Sequence, residues 1–246
     1  MITRRILLAA LLSGTVSGVP AAWAGADNPL RQRRSRRSEV PDVAEFHRQD
    51  GRRGFILDRS SENWLLKPLD ADEVLVLVPQ RAPNGGTSFE TDWGDEIIRV
   101  SSIGAITYYP EDQPNGVIAE LWEPARAIAL PSADVDALRE RSAQAAHQLA
   151  AIMGRPIQVE YGAAPRDGLG LMVDAIDLAV AGIERARAAG ATLDFLQRLK
   201  IAPSDWVDMT VADDLFMIRV NPLSGFSGRP SSTRIARYLV AYETPS

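Results

Sequence analysis

The sequence contains no cysteine and only two histidines in 246 residues. Without cysteine, the chain can form neither a disulfide bond nor a thiolate nucleophile, so its stability must come from packing. Two histidines, His47 and His147, are too few for a three-histidine metal site. We therefore expect no metal ion and no cofactor, and we expect His147 to face solvent on a helix.

The sequence also lacks the common catalytic motifs. The zinc motif His-Glu-x-x-His does not occur, and the serine motifs Gly-x-Ser-x-Gly and Ser-x-x-Lys do not occur after residue 24. No catalytic residue is assigned from the sequence. After residue 24 no apolar run approaches the length of a transmembrane helix, so we predict no membrane-spanning segment in the mature protein.

The first 24 residues have the features of a secretory signal peptide. Arg4 and Arg5 precede an apolar stretch, and Ala22-Trp23-Ala24 is a small-x-small cleavage site. This pattern predicts cleavage before Gly25 and a periplasmic or secreted protein. The two arginines are compatible with both the general secretory and the twin-arginine route.

A basic segment follows the predicted cleavage site, although the net charge of the whole chain is −5. Its density of charge predicts a disordered leader over residues 25–53, with a short helix within 41–53. The residues that follow this segment carry more acidic than basic side chains and would repel nucleic acid, so we expect no nucleic-acid partner. Five arginines could still contact anionic surfaces weakly: Arg31, Arg33, Arg34, Arg36 and Arg37.

The rest of the chain, residues 54–246, is predicted to form one α+β domain. Short β-type runs separated by turn residues predict an antiparallel β-meander in the N-terminal half. The predicted strands are Phe55–Leu57, Trp64–Leu69, Glu73–Val78, Thr87–Thr91, Glu96–Ser101, Ala105–Tyr109 and Val117–Trp122.

The middle of the domain is predicted to be helical. Apolar residues at three- and four-residue steps indicate one helix from Ser132 to Gly154 and another from Gly170 to Ala189. A third, short helix is predicted for Leu193–Leu199. Strands return at the end, as a hairpin of Trp206–Val211 with Leu215–Val220 and a terminal strand, Ile235–Ala241.

Paired carboxylates are the one catalytic arrangement that remains open. Glycosidases need two carboxyl groups at a fixed separation. Asp174 and Asp177 lie one helical turn apart, and Asp92 and Asp95 lie in one predicted hairpin. A carboxylate-based hydrolase acting on an envelope substrate is therefore the alternative function, with Asp92 and Asp95 as its acids.

Two stretches resemble a known family. They are Val76–Leu121, which includes APNGGTSFETDWGDEIIRV, and Gly228–Ile235, which reads GRPSSTRI. Together they are similar to domain-of-unknown-function family 4908, whose members are exported proteins mostly of alphaproteobacteria. The resemblance assigns no catalytic residue. It implies that the hairpin region and the Gly-Arg-Pro-Ser-Ser loop belong to one structural unit.

That loop is the best candidate for a binding surface. Arg229 and Arg234 flank hydroxyl groups beside a predicted strand, a combination that suits an anion, although both arginines could instead pair with acidic residues of the domain. Trp93 lies in a polar turn and is expected to be partly exposed. We predict a non-enzymatic envelope protein that binds a small anionic ligand or an envelope protein through Trp93, Arg229, Ser231, Ser232 and Arg234.

Overall fold

The computed structural model describes residues 41–244, which fold as a β-barrel followed by an α/β layer. The predicted signal peptide and five arginines of the basic leader, Arg31, Arg33, Arg34, Arg36 and Arg37, lie outside these residues. The barrel strands are β1 (Val43–Arg48), β2 (Phe55–Asp58), β3 (Trp64–Pro68), β4 (Leu75–Arg81), β5 (Thr87–Glu90), β6 (Glu96–Val100), β7 (Ile106–Tyr108) and β8 (Val117–Pro124).

The eight strands form a closed antiparallel barrel in sequence order. The predicted meander is thus present, and the pairing of β1 with β8 closes it. Closure removes the unpaired edges that an open meander would expose. Large side chains from successive strands, among them Phe46, Phe55, Leu66 and Leu77, fill the interior. The barrel interior is therefore a packed core.

Strand β1 corrects the prediction for residues 41–53. Its side chains alternate between partly and fully buried, with Ala44, Phe46 and Arg48 facing inward. A period of two is that of a strand, so the predicted short helix is wrong. The predicted domain boundary at residue 54 consequently falls inside the barrel.

A buried arginine lies beside the core near the end of β1. The Arg48 guanidinium donates to Asp50 at 2.5 Å and to Asp112 at 2.9 Å. These hydrogen bonds hold the pKa of both carboxyl groups below the usual range. Arg48 can occupy an inward position because its charge is compensated by two carboxylates.

The α/β layer contains three helices and four strands: β9 (Gln158–Tyr161), β10 (Arg198–Pro203), β11 (Asp208–Ala212) and β12 (Leu215–Val220). The strands form one sheet in the order β11-β12-β10-β9. Strands β9, β10 and β12 are parallel, and β11 is antiparallel to β12. Residues Leu199, Ile201, Phe216 and Ile218 of the sheet share one core with the helices. The helices are α1 (Val135–Met153), α2 (Leu169–Ala188) and α3 (Ser232–Glu243).

Helices α1 and α2 confirm two predictions closely. Helix α1 begins after Asp134, whose carboxylate accepts from the Ala137 amide at 2.8 Å, so the N-cap is Asp134 instead of Ser132. It ends at Gly154, which adopts the left-handed conformation at φ 68°. In α2, Gly182 lets the Ile235 side chain of α3 approach closely. A methyl group at Gly182 would lie 2.5 Å from Ile235 Cγ2.

Two other predictions for the α/β layer are wrong. Residues 235–241, predicted as a strand, lie in helix α3, where Ser232, Ile235, Ala236 and Leu239 are buried at helical spacing. Residues 193–199, predicted as a helix, form a turn and the start of β10. Leu193 has a positive φ of 52°, which a helix excludes.

Candidate functional site

The N-terminus of α3 binds two carboxylates of the barrel. Asp92, in the hairpin between β5 and β6, accepts from the Ser231 amide at 3.0 Å and from the Ser231 hydroxyl at 2.6 Å. Glu73 accepts from the amide (3.0 Å) and the hydroxyl of Ser232. A helix N-terminus carries exposed amides and partial positive charge, so it stabilises anions. The loop predicted to bind an external anion binds two carboxylates of its own chain here.

The same contacts join the two sequence stretches that carry the family resemblance. Asp92 belongs to the first stretch and Ser231 to the second, and they are 139 residues apart in sequence. The structure thus places the hairpin and the loop in one unit. The acidic partners of the loop, Asp92 and Glu73, were not predicted as such, because no local pattern links residues this distant.

Arg229 is fully buried at the junction. Its side chain is 1% exposed, and its guanidinium donates to Asp174 at 2.6 Å and to the carbonyl of Val74 at 2.8 Å. The guanidinium also lies 5.4 Å from the centre of the Phe226 ring. Arg229 therefore connects α2, the loop before α3 and the segment before β4, which is a structural role.

Trp93 is 44% exposed, as predicted for a polar turn. The Arg237 guanidinium lies 5.8 Å from the centre of a Trp93 ring and donates to Asp95 at 2.8 Å. This cation–π contact fixes one face of the indole. Trp93 is therefore grouped with Arg237 and Asp95 on one side of the hairpin.

A cleft of about 160 Å³ lies between the barrel and the α/β layer. We call it the junction cleft. Part of its wall comes from the residues that follow β10 and β12, at the carboxyl ends of parallel strands, where α/β proteins commonly bind ligands. The lining residues are Asn63, Leu75, Val76, Val78, Thr91, Asp92, Val207, Ser227, Arg229, Ser231 and Arg234.

Arg234 is a lining residue with unused hydrogen-bonding capacity. Its side chain is 31% exposed, and its one ionic contact is to Asp92 at 3.6 Å, beyond hydrogen-bond length. Its guanidinium donates no hydrogen bond within residues 41–244. Asn63 also lines the cleft and donates to Ser227 at 3.1 Å. Guanidinium and amide donors beside an apolar wall suit a small anion.

A larger cleft of about 1120 Å³ lies near α3, and we call it the mouth cleft. It contains many carboxylates, but arginines compensate several of them. Asp95 pairs with Arg237 and Glu111 pairs with Arg185, at 2.8 and 2.6 Å. Burial, reinforced by the charge of Asp70, raises the pKa of Tyr108 in this wall to about 12.

The carboxylates considered for hydrolysis do not form a pair in one cleft. Asp92 lines the junction cleft, whereas Asp95 lines the mouth cleft. On helix α2, Asp174 binds Arg229 and Asp177 binds Arg141. Burial raises the pKa of Asp177 despite this arginine.

Other features of the described residues can be stated briefly. His147 is exposed on α1. Within residues 41–244, no group of histidine, aspartate and glutamate side chains is arranged to hold a metal ion. The helices of this same range are all too short or too polar to cross a bilayer.

The described residues define an α+β protein in which a closed barrel and an α/β layer enclose a small cleft. The chain matches the family described as "Domain of unknown function (DUF4908)" over residues 18–239 and belongs to it. The resemblance found in the sequence is thereby confirmed. Searches of curated proteins and of solved structures each give no match.

Proposed function

We propose that this is an exported, non-enzymatic binding protein that holds a small anionic ligand in the junction cleft. Arg234 would be the main ligand-binding residue, with Asn63 as a second donor. The observation that carries the proposal is the half-buried Arg234 guanidinium, which lines a cleft without donating a hydrogen bond to the described chain. An arginine with free donors can bind a carboxylate or phosphate through two parallel hydrogen bonds.

Three of the other predicted site residues support the cleft, whereas Trp93 contacts Arg237 and does not line it. Ser231 fixes the position of Asp92, and Ser232 binds Glu73. Arg229 is satisfied by Asp174 and Val74. Under this proposal these contacts preorganise the cleft, and preorganisation lowers the cost of binding.

The size of the cleft limits the ligand. A cavity of about 150 Å³ accepts a molecule the size of benzene, and the junction cleft is similar at about 160 Å³. Inorganic phosphate or a three- or four-carbon dicarboxylate has suitable dimensions. Four apolar side chains, Leu75, Val76, Val78 and Val207, would contact the carbon atoms of a dicarboxylate.

The hydrogen bonds that Asp92 accepts favour a binding role over hydrolysis. Both of its oxygens accept hydrogen bonds from Ser231. Proton transfer through either oxygen would disrupt the contact between barrel and helix. Asp95, the second proposed acid, faces another cleft.

Export is proposed from the first 24 residues. Arg4, Arg5, the apolar stretch and Ala22-Trp23-Ala24 are the supporting features. Amino-terminal sequencing of the protein recovered from the periplasm should give Gly25 as the first residue. Recovery of the intact chain from the cytoplasm alone would contradict export.

Calorimetric titration at low ionic strength would test ligand binding. The probes are phosphate, sulfate, malonate and succinate. We expect at least one to bind, and Arg234→Gln to weaken that binding by about tenfold or more, because hydrogen bonds to charged groups contribute about 1.5–3 kcal/mol. Arg237→Gln is the matched control, since Arg237 lies on the same helix but lines the mouth cleft. Equal losses in both variants would contradict the proposal.

A further inference from the structure

A β-bulge at the closing seam of the barrel places Trp122 on the outer surface. The pairing of β1 with β8 shifts between Glu45 and Phe46, and Trp122 is the residue of β8 left without a partner. Bulges redirect side chains in this way. The Trp122 indole lies flat on the His47 imidazole, with ring centroids 4.3 Å apart and planes 9° apart. The residue is nevertheless 63% exposed.

The stack is held in place by its neighbours. His47 Nε2 donates to Glu45 Oε1 at 2.7 Å, which fixes the imidazole beneath the indole. Beside it, Gln49 donates to Glu120 Oε1 at 2.6 Å. One face of the Trp122 ring is therefore supported and the other is open to solvent. A ring fixed before binding loses little conformational entropy when a ligand stacks on it.

The polar groups around the ring indicate what could stack there. The second carboxylate oxygens of Glu45 and Glu120 accept no hydrogen bond from residues 41–244. Glu123, next to Trp122 on β8, adds a third negative charge. A nucleotide base could also stack, but these carboxylates would repel its phosphates. Glu120 separates Ile118 from Trp122 along β8, which disfavours a continuous apolar contact with another protein.

We propose that this surface, comprising Glu45, His47, Glu120 and Trp122, binds a neutral saccharide. The C–H face of a pyranose ring would stack on the open face of Trp122. The free oxygens of Glu45 and Glu120 would accept hydrogen bonds from sugar hydroxyl groups. An aromatic surface beside a few convergent acceptors gives both contact area and orientation. This site is separate from the junction cleft and does not depend on the function proposed for it.

The test is calorimetric titration of the purified protein with three neutral oligosaccharides: cellohexaose, chitohexaose and maltohexaose. At least one should bind at millimolar concentration or below. Trp122→Ala should weaken binding by about tenfold, as expected for loss of an aromatic stack. Trp122→Phe should retain part of the affinity. Trp206→Ala is the matched control, because Trp206 is equally exposed, at 61%, but lies in the α/β layer.

Two further variants test the supporting role of His47. His47→Phe keeps an aromatic ring under Trp122 and should retain saccharide binding, whereas His47→Ala should weaken it. Arg234→Gln should leave saccharide affinity unchanged, which separates this site from the junction cleft. The proposal is overturned if none of the three oligosaccharides binds, or if Trp122→Ala and Trp206→Ala weaken binding equally. It is also overturned if the oligosaccharides bind but Trp122→Ala leaves their affinity unchanged and alters only the self-association measured by sedimentation.

Discussion

The Asp92 carboxylate holds the Ser231 amide and hydroxyl at 3.0 and 2.6 Å, so a barrel hairpin caps the last helix of the chain. Ser231 is itself the N-cap of α3, because its hydroxyl oxygen accepts from the Arg234 amide at 3.1 Å. One hydroxyl group thus links the helix, the barrel and the residue proposed to bind the ligand. The stability of the junction and the geometry of the cleft should therefore change together.

Asp92→Ala should destabilise the protein by about 1–3 kcal/mol, because it removes two charge-assisted hydrogen bonds, one from an amide and one from a hydroxyl group. Urea denaturation would measure the change. Asp95→Ala is a suitable control, since its pair with Arg237 is more exposed. That variant should change stability by less than about 1 kcal/mol. If Asp92→Ala lowers the free energy of unfolding by as little as Asp95→Ala is expected to, the contact between Asp92 and Ser231 contributes little.

Asp174→Ala should be the more damaging substitution, at about 3–5 kcal/mol, because it leaves the buried Arg229 charge uncompensated. Arg139→Ala serves as the control, since Arg139 and Asp136 form an exposed pair within α1. It should cost no more than about 0.5 kcal/mol. Thermal and urea denaturation of both variants would check the difference. A mild effect of Asp174→Ala would mean that water reaches Arg229.

Tyr108 should ionise late in an alkaline titration. Burial raises its pKa from 10.0 to about 12, so the unfolded chain loses this proton at lower pH than the folded one. The contribution to stability is therefore complete below pH 10.0 and is lost as the pH rises towards 12. Burial also raises the pKa of Tyr238. Absorbance at 295 nm should therefore contain a late tyrosine component that Tyr108→Phe reduces and that the double substitution with Tyr238→Phe removes. An undiminished late component in Tyr108→Phe would contradict the prediction.

Gly182→Ala should destabilise the protein by about 1–3 kcal/mol, although alanine favours helices by about 1 kcal/mol. The added methyl group would lie 2.5 Å from Cγ2 and 2.6 Å from Cβ of Ile235 in α3 and would collide with them. In an Ile235→Gly background, which lacks both Cγ2 and Cβ, the same substitution should cost clearly less. A double-mutant cycle from urea denaturation would give this coupling. Additive effects would contradict the predicted collision.

The barrel strands could be predicted from the sequence because each is a short run of β-favouring residues between turns. Seven of the eight were found in this way. The missing one, β1, has the inward-facing Arg48 where an apolar residue is expected, and the charge compensation by Asp50 and Asp112 is visible only in three dimensions. Closure of the barrel depends on β1, so the sequence predicted an open meander.

Helix α3 was mispredicted because Ile235, Tyr238 and Val240 are residues that strands favour. The spacing of the buried positions 232, 235, 236 and 239 was the signal for a helix. At the candidate site, the composition of the loop identified the residues. Their partners could not be predicted, because Glu73 lies 159 residues from Ser232 and no alternating or helical period extends over that separation.

These long separations also have a consequence for folding kinetics. The barrel cannot close until Val117–Pro124 is available to pair with Val43–Arg48. Asp92 and Glu73 cannot form their hydrogen bonds until Ser231 and Ser232 are present. Chains dominated by contacts between distant residues fold slowly, because loop-closure entropy is lost before the contacts form. A nascent chain would therefore remain incompletely folded until Ser231 and Ser232 have been synthesised.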